Sequence, residues 1–199
     1  MDINAIIKRT INIIVKPQDE WKVIEQENAN KNTAIFGYAL PYIIVVSVAT
    51  LIGCLIFNSL YYSMPYTIVS TIFAFIIPFA GIIISAIIVN SLAPAFGSTK
   101  NIDNAFKLVI YSYTATFIAT IITGLLPVLF FVSIAGGYSF FIMFFGLTPM
   151  MKTPEDKKVS YFIVSILIML GVYATLTFTL GLISAGLFFS GIGFNSFRF

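Results

Sequence analysis

The 44 residues from Leu108 to Met151 contain no Asp, Glu, Lys or Arg, and they restrict the possible folds more than any other stretch. About 20 apolar residues in one helix cross a bilayer, so a single span cannot hold all of them. Pro127 lies near the middle of the stretch, and proline lacks a backbone N–H and disfavours helix at the preceding residue. The stretch is therefore predicted to form two spans that reverse direction at Leu126-Pro127.

The composition of the whole chain indicates whether the protein is soluble or membrane-embedded. Hydrophobic residues make up 59% and charged residues 10% of the 199 residues, whereas about 25% of the residues in a soluble domain are charged. Such a chain cannot cover a water-facing surface with polar groups. We therefore predict an all-α integral membrane protein. Cys54 is the single cysteine, so the chain has no disulfide framework.

The number of spans follows from the remaining apolar stretches. Residues 32–99 carry no charge and are long enough for two spans, and the residues after Lys158 supply one more. We predict a bundle of five transmembrane helices in a membrane domain of residues 34–199, with spans at about 34–57, 66–92, 108–126, 128–150 and 160–182. From Gly186 onward, the glycines predict an interfacial end of the chain and no sixth span.

Residues 1–33 are predicted to form a cytoplasmic segment on the membrane surface. Within residues 1–16, isoleucines recur at helical spacing opposite lysines, which is typical of an amphipathic helix in the bilayer interface. Pro17 ends this helix and can open a second one at its first position. Trp21, the only tryptophan, is expected at the level of the lipid headgroups.

Positive charges test the topology. With five spans, ten of the eleven Lys and Arg residues fall on one side of the membrane and only Arg198 falls on the other. The positive-inside rule then predicts a cytoplasmic N-terminus and an external C-terminus. The membrane is expected to be the inner (plasma) membrane. The ten residues are Lys8, Arg9, Lys16, Lys22, Lys31, Lys100, Lys107, Lys152, Lys157 and Lys158.

Catalytic chemistry finds little support in the sequence. The chain has no His, which excludes Ser-His and Cys-His nucleophile pairs and His-ligated metal sites. All eight Asp and Glu residues lie outside the predicted spans, and Glu155-Asp156 is better explained as a helix start capped by Thr153. We predict no enzymatic activity, no metal or other cofactor and no nucleic-acid partner. The lipid bilayer is the expected environment.

Small and hydroxyl residues mark one face of the third span. They recur every three or four residues, and such faces let helices approach closely in lipid. The simplest interpretation is packing within the bundle, and the alternatives are an oligomer interface or a polar pore lining. The face consists of Ser112, Ala115, Thr116, Ala119, Thr120, Thr123 and Gly124.

Pro17 is followed by Trp21 and Ile24 in a P-x-x-x-W-x-x-I pattern, and Tyr111-Ser112 matches the beginning of a Y-S-x-x-P stretch. These motifs resemble those of the Yip family, five-span membrane proteins first known as interactors of Rab GTPases, and the first motif resembles the start of its bacterial members. The other positions that carry the resemblance are Pro41, Gly97, Tyr138, Gly146, Pro154 and Tyr161. The resemblance implies the five-span fold and its topology.

Two departures from the family pattern bear on what the resemblance implies. Ala115 stands where the Y-S-x-x-P stretch has proline, so a kink in the third span is expected to be missing. The Asp-Leu-Tyr-Gly-Pro segment of eukaryotic members has no counterpart, which argues against binding to a GTPase. A chain rich in Ile, Asn, Lys and Phe also indicates an AT-rich bacterial genome.

The sequence leaves two functions of different classes open. The first is a membrane adaptor or organiser without enzymatic activity, which would act through helix faces and cytoplasmic segments on a membrane-protein partner. The second is a homo-oligomeric channel or small-solute transporter lined by the hydroxyl face of the third span.

Overall fold

The computed structural model describes residues 2–27, 30–57 and 64–195. These ranges are predominantly helical and contain no strand, so the prediction of an all-α membrane protein is confirmed. Four helical stretches are long and apolar enough to cross a membrane, and a bent helix pair adds a fifth when it is counted as one span. The four stretches are Lys31–Ile56, Tyr66–Phe96, Pro127–Met151 and Glu155–Leu182, and the bent pair covers residues 102–125.

Two helices precede the first span. Helix α1 covers Ile3–Val15 and helix α2 covers Pro17–Gln26. Pro17 occupies the first position of α2, where its missing N–H costs no helical hydrogen bond. A short helix, α3 (Lys31–Ala34), then begins the first span.

The first two spans are largely continuous. A π-helical turn, Ile35–Ala39, joins α3 to helix α4, Leu40–Ile56. Pro41 is the second residue of α4, just after this wider turn, which accommodates a residue that cannot donate a backbone hydrogen bond. Helix α5 covers Met64–Leu92 and ends in a 3₁₀ turn, Ala93–Phe96.

The third span is bent, so the expectation of a missing kink is wrong. Helices α6 (Ile102–Ser112) and α7 (Thr114–Leu125) meet at an angle of 41° although Ala115 replaces the proline. The Thr114 hydroxyl donates to the Tyr111 carbonyl (2.6 Å), and the Thr116 N–H donates to the Ser139 hydroxyl (3.0 Å). Side chains that enter the helical ladder in this way can bend a helix without proline.

The fourth span differs from the predicted continuous helix. Residues Pro127–Gly137 form a 3₁₀ helix, and helix α8 begins only at Tyr138 and runs to Met151. Pro127 starts the segment, and Leu129 has non-helical dihedral angles (φ −87°, ψ 29°). Contact with α7 favours this tighter backbone, because the Gly136 carbonyl accepts a hydrogen bond from the Thr116 hydroxyl (3.1 Å).

The helix that contains the fifth span continues beyond that span. Helix α9 covers Glu155–Asn195, whereas its membrane-spanning stretch ends at Leu182, as predicted. The interfacial end expected from Gly186 onward stays a prediction. A helix satisfies its own backbone groups, which favours its continuation in an apolar environment despite glycine. Arg198 lies outside the described residues.

The helices pack in a defined order. Helix α4 contacts α5 and α7, and α5 also contacts α6 and α9. Helix α8 contacts α6 on one side and α2 on another, so the N-terminal helices belong to the bundle. The closest crossing joins α4 and α7, where a Cβ atom on Gly53 would lie 1.9 Å from the Gly124 carbonyl oxygen.

The crossing at Gly53 can be tested by adding one methyl group. We expect Gly53→Ala to lower the free energy of unfolding by about 1–3 kcal/mol, because the methyl group would meet the backbone of another helix. Thermal unfolding of the detergent-solubilised protein measures this loss. Gly171→Ala is the matched control, since no atom lies within 4 Å of its added Cβ. Equal stabilities of the two variants would contradict the close crossing.

Candidate functional site

Helix α1 has one side against the bundle and another exposed. Arg9, Thr10 and Ile13 are buried against the bundle. The exposed apolar residues form a separate stripe along the helix. They are Ile3, Ile7, Ile11 and Val15. The interfacial helix predicted for residues 1–16 therefore also has a side that packs against protein.

Arg9 is the centre of a buried charge cluster. Its Nη1 lies 3.0 Å from Oε1 of Glu20, and its Nη2 donates to Oε1 of Glu27. The guanidinium also lies 5.4 Å from the ring centroid of Tyr111 in α6. The side chains of Arg9 and Glu20 are 10% and 9% exposed, so neither charge is solvated by water alone. Removing one partner of such a pair typically costs about 3–5 kcal/mol, so the cluster holds α1 and α2 together.

Trp21 is completely buried, so its ring contacts protein and not the lipid headgroups beside which an interfacial tryptophan was expected. Its Nε1–H donates to the Ile142 carbonyl of α8 (2.9 Å), and its ring meets Tyr111 edge-on at 6.4 Å. Gly146 provides the space, since a Cβ there would lie 2.6 Å from Trp21 Cε2 and 2.5 Å from Leu108 Cδ1. The tryptophan therefore fixes α2 to the bundle.

Hydroxyl groups connect α1 to the first and third spans. The Thr10 hydroxyl shares hydrogen bonds with the hydroxyls of Tyr38 (3.1 Å) and Tyr42. Tyr38 in turn shares a hydrogen bond with Thr114, the first residue of α7 (2.9 Å). The N-terminal helix is thus linked to the bend in the third span.

The loop that follows α5 and its 3₁₀ turn contacts the loop that follows α8. Gly97 has a left-handed backbone (φ +66°), which glycine adopts without strain, and a Cβ there would lie 3.6 Å from Pro154. The Ser98 hydroxyl donates to Thr153 (3.0 Å), and Thr153 donates to the Leu147 carbonyl (3.2 Å). Thr153 is therefore buried in the loop junction, and the prediction that it caps α9 is wrong.

Two further tyrosines of the family pattern contact backbone carbonyls. Tyr161 in α9 donates to the Val89 carbonyl of α5 and stacks on Phe96, with ring centroids 5.1 Å apart. Tyr138 at the start of α8 donates to the Ile14 carbonyl of α1 (2.9 Å). These hydrogen bonds join separate helices.

The small face predicted for the third span is divided by the bend. Ser112 is buried in α6, whereas Ala115 and Ala119 are buried in α7. Thr116 contacts the 3₁₀ segment, and Gly124 lies against α4. The hydroxyls of Thr120 and Thr123 donate to carbonyls of their own helix, those of Thr116 and Ala119.

The buried ionic residues were not singled out from the sequence. From the sequence, Arg9 counted only as one of the positive charges that predict the topology. One signal was present: Arg9 lies three residues after Ile6 and four before Ile13, on the apolar side of the helix. Such a position predicts burial with a counter-charge.

A comparison with known protein families gives a match over most of the chain. The family model described as "Yip1 domain" matches residues 11–177, which is most of the chain. The chain belongs to the Yip1 domain family. No curated protein and no solved structure matches it.

The matched region of this Yip1 domain includes every motif position discussed above. Pro17 and Trp21 place α2 on the bundle, and Gly146 receives the tryptophan ring. Gly97 and Pro154 form the loop junction. The motif positions of the Yip1 domain thus lie largely where the N-terminal helices and two loops meet one end of the bundle.

The burial of Trp21 can be measured directly, because it is the only tryptophan. We expect its fluorescence to be protected from both acrylamide and brominated lipids, since the ring contacts protein alone. Gly146→Ala should red-shift the emission and increase quenching by displacing the ring. Gly137→Ala, where the added Cβ meets no atom within 4 Å, should leave both unchanged. Strong quenching of the unaltered protein by brominated lipid would indicate a headgroup position instead.

Proposed function

We propose that this Yip1 domain protein is a membrane adaptor or organiser without enzymatic activity, located in a bacterial inner membrane. Its N-terminus is cytoplasmic and its C-terminus external in this proposal. The distribution of Lys and Arg between the loops supports the orientation, and the amino-acid usage supports a bacterial source.

The observation that carries the proposal is the attachment of the N-terminal helices to the bundle. Arg9, Trp21 and Thr10 hold α1 and α2 on the membrane domain through buried contacts. Lys8 on α1 and Lys16 directly after it remain exposed. A helix held in this way presents a defined surface at the bilayer interface, as an adaptor requires.

The pairing of the ionic groups also favours a structural role. Arg9 contacts Glu20 and Glu27, and Lys152 contacts Glu25, so these charges link helices to one another. A catalytic acid or base needs a proton of a substrate within hydrogen-bond reach. The carboxylates of Glu20, Glu25 and Glu27 instead form ion pairs with cations of the same chain.

The alternative function, an oligomeric channel or small-solute transporter, receives less support. A pore along the third span needs free hydroxyl groups on one face. The Thr116 hydroxyl instead contacts Ser139 (2.8 Å) and the Gly136 carbonyl, and the Thr120 hydroxyl donates to the Thr116 carbonyl. The 3₁₀ segment packs against this face.

The adaptor proposal can be tested by photo-crosslinking in the native membrane. A photoreactive amino acid at position 8 replaces an exposed lysine of α1, and one at position 178 replaces a 69% exposed phenylalanine of α9. We expect position 8 to give a reproducible adduct with a second protein, and position 178 not to give that adduct. Adducts only between copies of this chain, from both positions, would contradict the adaptor proposal and favour the oligomeric channel.

The orientation gives a separate prediction. In a Cys54→Ser background, a membrane-impermeant thiol reagent should label Leu126→Cys from outside and Asp156→Cys only after the membrane is opened. Both positions are exposed, and they follow the third and fourth spans respectively. The reverse labelling pattern would contradict the proposed orientation.

A further inference from the structure

A cleft opens where α2, the end of α8 and the beginning of α9 meet. It lies at the ends of the fourth and fifth spans, where the bundle leaves its apolar region. Residues from all three helices and from the loop after α8 line it. Those that matter here are Lys22, Glu25, Phe145, Thr148, Lys152 and Lys158.

The charged groups of the cleft favour an anion. Three ammonium groups and one carboxylate, that of Glu25, are part of its lining. Glu25 contacts Lys152, which leaves the charges of Lys22 and Lys158 in excess. Asp19 and Glu155 lie 3.8 and 3.7 Å from these two lysines, but each carboxylate is 74% exposed. Glu155 also accepts a hydrogen bond from the Thr148 hydroxyl (3.0 Å). Exposed ion pairs of this kind are weak, and neither carboxylate lines the cleft, so a phosphate that binds there can replace them as the partner of Lys22 and Lys158.

Two of the lysines are positioned by the fold. Lys158 is 12% exposed, and its Nζ lies 4.7 Å from the ring centroid of Phe144. Lys152 has a left-handed backbone (φ 53°) at the end of α8, and Glu25 of α2 holds its side chain. A site whose cations are already oriented loses less entropy when it binds an anion.

An apolar surface continues from the cleft along the membrane-spanning part of α8. Phe145 lines the cleft, and its ring lies edge-on to Phe141 at 4.6 Å. Phe141 is 47% exposed, and its ring centroid lies 5.2 Å from that of Tyr138. These rings form an exposed path that leads from the charged cleft into the hydrocarbon region.

We propose that this cleft binds a membrane phospholipid with an anionic headgroup. The lipid phosphate lies among Lys22, Lys152 and Lys158, and one acyl chain follows Phe145 and Phe141. A basic pocket at a helix end joined to an apolar surface matches both parts of such a lipid, and neither part alone uses the whole cleft. This lipid site does not depend on the adaptor function.

The test is a lipid titration of the full chain in detergent, followed by native mass spectrometry. We expect one phosphatidylglycerol to bind about tenfold more tightly than phosphatidylcholine. The double variant Lys22→Gln/Lys152→Asn should lose about tenfold in phosphatidylglycerol affinity, because each lysine near a lipid phosphate contributes to binding. Asn tolerates the left-handed backbone at position 152. Lys22→Gln alone, at a 73% exposed side chain, should show a smaller loss with the fold intact.

The matched control is Lys8→Gln/Lys16→Gln, which removes one positive charge from α1 and one from the residue after it, both outside the cleft. It should keep the preference for one phosphatidylglycerol. Equal losses in the control and the cleft variant would overturn the proposal, because net charge alone would then explain binding. Equal affinities for the two lipids would overturn it as well. Displacement of the lipid by glycerol 1-phosphate at equal concentration would overturn the assignment to a lipid, because the cleft would then recognise phosphate without the acyl chain.

Discussion

The insertion of Trp21 over Gly146 determines how the N-terminal helices meet the membrane-spanning bundle. The indole needs a place where α8 has no side chain, and its N–H needs a carbonyl acceptor inside the protein. Once α2 is held there, Glu20 faces Arg9 and Glu25 faces Lys152. The charge cluster and the wall of the lysine-lined cleft therefore both depend on one aromatic contact.

A second constraint is that backbone polar groups inside a membrane must find partners in the protein. The bend at Tyr113 satisfies it with side chains, since Thr114 donates to the carbonyl of Tyr111 and Ser139 accepts from the N–H of Thr116. The bend lets α6 contact α3 and α8, while α7 contacts α4 and the 3₁₀ segment. One span thus serves two parts of the bundle.

The charged residues of the described chain concentrate at one end of the bundle. Helix α2 has a buried side with Trp21 and Glu20, and an exposed side with Lys22 and Glu25 that lines the cleft. The same short helix thereby anchors α1 and borders the proposed lipid site. An adaptor built in this way would hold its presenting helix at a constant position relative to the membrane and to a bound lipid.

The sequence by itself determined the all-α class, the break at Pro127 and the resemblance to the Yip family, because hydropathy, proline and short motifs are readable along the chain. Only the tertiary structure decided the burial of Trp21 and the bend beside Ala115. The indole donates to Ile142, 121 residues away, and the bend depends on a hydroxyl from another span. Hydropathy reports how apolar a segment is, and it carries no information about which distant group completes a hydrogen bond.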